Sequence, residues 1–344
     1  MKNILSFAFA LAAISFTVSC NKETATVETE TVSFTIELPG AIQSKAAIAD
    51  GTKALTLYYA TYTQDEKQLA SLSNTSNGTA VSGKTATVTL QLVKDIPYHV
   101  VFWAQSEDCK AFTFDWPKAT MTVSYESTAE YDCTANNDLC DAFYAVLNNV
   151  IVDKDEKVTV SGTPLEGAVG LYRPFAQINF GAADYESVTE YFEVDDVDKG
   201  MTSELTWTVK IPNTLNLLDQ TIDGEASASF SPTVIPGGED KTLTVKGEDY
   251  RYVSMNYVLA PAGNNPAAIS QITATFTYDN NVNDTKTDIV RPIVVNNVPI
   301  LRNYRTNILG NFFTVDTPIV IQIMEKFEDD RDDMIIEYPE PAQP

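Results

Sequence analysis

Ile272-Thr273-Ala274-Thr275-Phe276-Thr277-Tyr278 alternates strictly between apolar side chains and threonine. A period of two belongs to a β-strand, whose successive side chains point to opposite faces. The stretch therefore turns one apolar face to a core and one threonine face to water. The same reading recurs along the chain. Val32, Phe34, Ile36 and Leu38 alternate with Ser33, Thr35 and Glu37; Ala86, Val88, Leu90 and Leu92 alternate with Thr87, Thr89 and Gln91. Leu205, Trp207, Val209 and Ile211 alternate with Thr206, Thr208 and Lys210. Half-buried antiparallel strands have this pattern, and Thr, Val, Ile and Tyr suit a pleated surface.

Apolar runs predict further strands near 54–62, 97–104, 120–125, 141–147, 157–161, 169–180, 186–193, 241–246, 250–260, 287–295, 304–313 and 318–324. Turn residues separate them: Asp50-Gly51, Asn77-Gly78, Ser82-Gly83, Asp223-Gly224, Pro236-Gly237-Gly238 and Asp279-Asn280-Asn281. No stretch keeps a helical period beyond two or three turns. Many short strands at this spacing predict an all-β chain built of sandwiches. One sandwich holding all of them would be unusually large. Ser161-Gly162-Thr163-Pro164 offers a break, dividing the chain into 31–163 and 164–327, both ordinary domain sizes.

The 344 residues carry 23 Lys and Arg against 47 Asp and Glu, a net charge of −24. Such a chain has no basic stripe to neutralise phosphates, which excludes a nucleic-acid partner, and it has no polybasic membrane-surface patch. A hydrophobic content of 44% with 20% charged residues suffices for real cores. His99 is the one histidine, so histidine triads and multi-histidine metal sites are out of reach. No nucleophile elbow, phosphate loop or zinc spacing occurs. The expectation is a protein that is not an enzyme, with no cofactor, no metal and no catalytic residue.

Met1-Lys2-Asn3 is a basic start, and Ile4 to Val18 is an apolar run. It is shorter than the roughly 20 residues of a spanning helix but suits a signal peptide. The run ends in Thr17-Val18-Ser19-Cys20, similar to a bacterial lipobox with Thr17 where leucine is usual. Residues 1–19 read as a lipoprotein signal peptide, Cys20 as the lipid attachment site and 20–30 as a polar tether. Asn21 follows, so the aspartate that retains lipoproteins at the inner membrane is absent.

Cys109, Cys133 and Cys140 remain. An odd number leaves at least one thiol free or paired with another chain, and an oxidising compartment permits one bridge among the three. Sequence does not choose the pair. At the other end, 328–344 forms an acidic tail containing the apolar Met334-Ile335-Ile336-Glu337-Tyr338. Met334, Ile335, Ile336 and Tyr338 are candidate donor-strand residues, or an extra edge strand of their own domain.

The remaining features have plain readings. Asp195-Asp196-Val197-Asp198 and the acids at 329–333 lack EF-hand spacing and read as solvated loops. Arg302 and Arg305 read as structural pairing within a strand, Trp103 as core and His99 as a strand-surface residue. Trp116-Pro117, with Phe112 and Phe114 nearby, reads as a loop packing over a sandwich end, with an aromatic platform for a sugar as the alternative.

Two stretches carry a resemblance: Arg173-Pro174-Phe175-Ala176-Gln177-Ile178-Asn179-Phe180, and Asn297-Val298-Pro299-Ile300-Leu301-Arg302-Asn303-Tyr304-Arg305-Thr306-Asn307-Ile308-Leu309-Gly310-Asn311. Both resemble the second domain of fimbrillin-like (type V pilin) lipoproteins of Bacteroidales. Asp50-Gly51-Thr52 leading into Leu57-Tyr58-Tyr59-Ala60, Val101-Phe102-Trp103-Ala104-Gln105, and Asp141-Ala142-Phe143-Tyr144 are similar to the first domain. The resemblance implies two tandem transthyretin-like β-sandwiches in an outer-membrane lipoprotein, displayed on the cell surface or in a fimbrium. It also implies other fimbrillin-like subunits as partners, and an adhesive role toward a host glycan or protein. In the family a trypsin-like protease removes the first strand, and the emptied groove accepts a strand from another subunit. Here the first arginine is Arg173, and Lys45 and Lys53 are the only basic residues between Val32 and Leu55. Either Lys45 or Lys53 is the maturation site, or the first strand is kept. The alternative function is a glycan-binding surface lipoprotein of a nutrient-uptake system.

Overall fold

The computed structural model describes residues 28–39, 51–189, 201–235, 242–245, 247–263, 265–280, 287–314 and 320–326. The first half contains β1 (Thr29–Glu37), β2 (Thr56–Thr63), β3 (Asn74–Ala80), β4 (Thr85–Val93), β5 (Tyr98–Gln105), β6 (Phe112–Asp115), β7 (Thr120–Val123), β8 (Phe143–Val152), β9 (Val158–Val160), β10 (Thr163–Pro164) and β11 (Val169–Gly170). The second contains β12 (Phe175–Ala182), α1 (Tyr185–Thr189), β13 (Thr202–Ile211), β14 (Thr214–Asn216), β15 (Ile222–Asp223), β16 (Ala226–Val234), β17 (Thr242–Val245), β18 (Glu248–Leu259), β19 (Ala267–Asn280), β20 (Thr287–Ile300), β21 (Tyr304–Gly310) and β22 (Val320–Lys326). The chain is all-β, as the alternation predicts.

The first half has three layers. A sheet of order β10-β9-β8-β5-β2-β3 lies between the small sheet β11-β1-β4 and the sheet β15-β14-β7-β6. Its central strands are therefore apolar on both faces. β5 sends Val100, Phe102 and Ala104 toward β1 and β4, and Val101 and Trp103 to the opposite side. In the second half, β17-β18-β12-β21-β22 faces β16-β13-β19-β20. Phe180 of β12 meets Phe276 of β19 with ring centroids 6.1 Å apart.

The halves are joined by more than a linker. β7 of the first pairs with β14 of the second, Thr214 opposite Thr122. One apolar core runs from Ala60, Tyr62 and Trp103 through Met121 and Tyr144 to Phe175, Leu205 and Phe276. The Ser161-Gly162 turn, with φ of 50° and 83°, is a bend in the chain. It is not a division of the core.

Three strand expectations change. Within 186–193, Tyr185–Thr189 is a short helix; Tyr185 is buried against Phe313 and beneath the Arg251 guanidinium, 4.8 Å from its ring centre. The expected strand 169–180 breaks into β11 and β12 around Pro174. Trp116-Pro117 begins a 3₁₀ turn, and Phe112–Asp115 ahead of it is a strand instead of a loop.

Candidate functional site

β1 enters the first core with a comb of four side chains. Val32, Phe34, Ile36 and Leu38 are buried, and the residues between them are exposed. Phe34 meets Phe102 at 5.8 Å. One edge of β1 pairs antiparallel with β4 over nine consecutive positions, from Thr29 opposite Val93 to Glu37 opposite Thr85. The other edge meets only β11, in parallel, at Ile36 and Glu37. The Leu171 amide adds one bond to the Glu37 carbonyl at 2.9 Å. From Thr29 to Thr35 that edge pairs with no strand among the described residues. β1 is thus a strand in a groove, held by one ladder and by its apolar comb.

Behind the groove lies a buried ion pair. Arg173 donates from Nε to Asp141 Oδ1 at 2.6 Å and from Nη2 to Oδ2 at 2.7 Å. Both side chains are almost fully buried, and the guanidinium lies 4.4 Å over the Phe143 ring. Burial pushes the Asp141 carboxyl up, while Arg173, Arg305 and the Gly51 amide draw it back down. Gly51 has φ 75°, and a Cβ there would lie 3.0 Å from Phe143 Cζ. Only glycine combines that conformation with so close an approach. Gly51 is thereby tied to the joint between the halves.

A second cluster completes the joint. Arg302 donates from Nη1 to the Tyr144 hydroxyl at 2.9 Å, from Nη2 to the Gln220 carbonyl at 3.0 Å and from Nε to the Ala260 carbonyl at 3.2 Å. Gln220 Oε1 accepts from the Tyr172 hydroxyl at 2.9 Å and the Tyr144 hydroxyl at 3.3 Å. Tyr144 and Tyr172 also exchange backbone bonds of 2.9 and 3.1 Å. The stretches around Asp141–Tyr144, Arg173–Phe175 and Arg302–Arg305, far apart in sequence, meet here. Arg302 and Arg305 are both buried, in keeping with structural pairing.

The other sequence candidates are dispersed. Lys53 is exposed beside the Gly51 turn. Cys109 and Cys140 form a disulfide and Cys133 is a buried free thiol. Trp103 is core, with Phe112 and Phe114 edge-on to it at 5.5 and 5.2 Å. Cys20, Lys45, Asp195, Met334, Ile335, Ile336 and Tyr338 lie outside the described residues. Among the described residues no three metal-ligating side chains come together, and no helix is long and apolar enough to cross a membrane. Sequence reading missed Tyr172 and Gln220; the φ of 66° at Gln220 has no sequence signature.

The chain is similar to the fimbrial anchor protein Mfa2 from Porphyromonas gingivalis, at 11% identity and a TM-score of 0.35, covering 85% of this chain and 96% of that one. It is similar to a fimbrial assembly protein from Parabacteroides distasonis, at 12% identity and a TM-score of 0.38, covering 90% and 100%. It is also similar to the C-terminally truncated tip fimbrial protein Mfa3 from Porphyromonas gingivalis, at 12% identity and a TM-score of 0.38, covering 85% and 98%. No curated protein matches the chain. Residues 23–339 match the family model DUF6562, described as a family of unknown function, and the chain belongs to that family.

Proposed function

We propose that the chain is a component of cell-surface fimbriae, structural or adhesive, serving as an anchor, tip or accessory subunit. It is held at the outer membrane by lipid on Cys20 and joined to other fimbrillin-like subunits by strand exchange. The observation that carries this reading is the seating of β1. An apolar comb fills a groove whose floor is complete without it, and β4 offers a full ladder to whichever strand lies there. A strand from another subunit satisfies the same donors, acceptors and apolar pockets by β-augmentation. Cleavage at Lys45 or Lys53 would release β1 for that exchange; a retained β1 suits an anchor or tip. The joint supports a load-bearing role, since a fibre subunit must not hinge between its halves. Nothing in the reading calls for catalysis or a cofactor.

The test is Cys20→Ala in the producing cell, with membrane fractionation and affinity purification of both forms. The expected result is loss of the protein from membranes in the variant and co-purification of other fimbrial subunits with the native form. Membrane association unchanged in the variant would overturn the anchor. A native form that never brings down another subunit would overturn the fimbrial role.

A further inference from the structure

Away from the groove and the joint, a bulge in the large sheet gathers three amides around the one histidine. Between β5 and β8 the register slips: Tyr98 lies opposite Val150 and Val100 opposite Leu147, so Asn148 and Asn149 share the single partner His99. Such bulges re-aim side chains and recur beside functional sites. Asn149 takes φ 54° and Ser161, which caps the bulge by donating from Oγ to the Asn148 carbonyl at 2.9 Å, takes φ 50°. Non-glycine residues held in that region mark strain that surrounding structure must maintain.

The bulge fixes the chemistry of the patch. His99 Nδ1 lies 2.7 Å from Asn148 Oδ1, an acceptor, so that nitrogen carries the proton. Gln64 Nε2 donates to Asn149 Oδ1 at 2.8 Å and approaches His99 Nε2 at 3.4 Å. Those bonds leave Gln64 Oε1 as an acceptor and the Asn148 and Asn149 amide nitrogens as donors. Gln64 and Asn149 are exposed, and Asn148 and His99 half-buried.

An aromatic stack borders the same face. Trp116 lies flat on Phe114, centroids 4.6 Å apart and planes 5° from parallel. Phe114 in turn rests on buried Trp103. Trp116 is half-buried, with one ring face covered by Phe114. Tyr62 connects the two features, as the cross-strand partner of His99 and the donor of a 2.8 Å bond to the Trp116 carbonyl.

We infer that this patch binds a neutral glycan, with Trp116 under the apolar face of a sugar ring and Gln64, Asn148 and Asn149 on its hydroxyls. Each sugar hydroxyl both donates and accepts, and the patch holds unspent groups of both kinds. A planar ring under a pyranose is the apolar complement to them. Lys118 beside the patch is paired with Asp115 at 2.6 Å, so its charge is already met. With a chain charge of −24, anionic sugars are repelled. The site needs no partner subunit, so it stands or falls apart from fimbrial assembly.

The experiment uses the mature lipoprotein in detergent on an array of neutral and sialylated oligosaccharides, including lactose, N-acetyllactosamine and mannobiose. The best neutral one is then titrated calorimetrically. Binding to neutral sugars is expected, weakened at least tenfold by Gln64→Ala, by Asn149→Gly and by Trp116→Ala. Gln64→Ala removes an exposed side chain, and glycine tolerates the φ of Asn149, so both variants should keep the native melting temperature. An array with no neutral binder would overturn the site, as would a preference for sialylated sugars. Affinity unchanged in Gln64→Ala and Asn149→Gly would overturn it too.

Discussion

Asp141 and Arg173 are the residues whose loss should cost most. Asp141→Ala leaves a guanidinium buried with its counter-charge gone, which destabilises by about 3–5 kcal/mol. Replacing both by apolar residues of similar volume removes the desolvation penalty as well, and should recover most of that loss in urea unfolding. Cys133 makes a second prediction. Burial pushes its thiol up to about 11, with a hydrogen bond to Tyr131 opposing the shift. Its folded value lies above the unfolded one, so keeping it neutral stabilises the fold at pH 7. That contribution is lost as pH rises from the ordinary thiol range through about 11. In native protein at pH 8 Cys133 should resist iodoacetamide, and should alkylate on unfolding, as mass spectrometry would show. The Cys109–Cys140 bridge closes a 31-residue separation; its removal by Cys109→Ala with Cys140→Ala should cost about 3–4 kcal/mol in the same unfolding assay. The cysteines were visible in the sequence and their pairing was not. The pairing follows from β5 lying antiparallel to β8, with Ala104 opposite Phe143, which sets the segment after one strand beside the segment before the other.

At the scale of elements, β1 is the test case. Phe34→Ala removes a ring that is 1% exposed, and should cost about 3–5 kcal/mol. Thr35→Ala, on the outward face, should change stability by less than about 0.5 kcal/mol. Thermal melts of the two variants would show whether the comb holds the strand. The strands with clean alternation, among them β1, β4, β13 and β19, were legible because one face is wet. Those missed lack that contrast. β3 reads Asn-Thr-Ser-Asn-Gly-Thr-Ala and is held in place by pairing with β2; Gly78, with φ 64° and Thr56 against its missing side chain, permits the approach. β16 alternates alanine and serine, too small a hydrophobic difference to register, and is set by β13. The helix at Tyr185 answers to Phe313 and Arg251, partners that are remote in sequence.

For the whole molecule, the break at 161–164 is real in the chain and absent from the packing. The sheet β15-β14-β7-β6 takes strands from both sides of it. The sequence announces Ser-Gly-Thr-Pro as a turn but is silent about which strands cross over, since pairing partners lie about 90 residues apart. We therefore expect one calorimetric transition with matching calorimetric and van't Hoff enthalpies, and two halves that co-elute after a protease nick near 161–167. Two separate transitions would show that the shared core is weaker than its continuity suggests. The motifs at 141–144, 173–180 and 297–311 were legible as a family resemblance; that they meet in one joint came only from the fold.

We propose that β1 occupies a groove built to receive a strand from another subunit, and native mass spectrometry is the measurement for it. The mature protein is cleaved at Lys45 and mixed with fimbrial subunits from the producing cell. Exchange predicts a complex in which this protein has lost the segment containing β1 and gained a partner subunit. Cleaved protein that joins no subunit, whether it keeps β1 or sheds it, would contradict that reading.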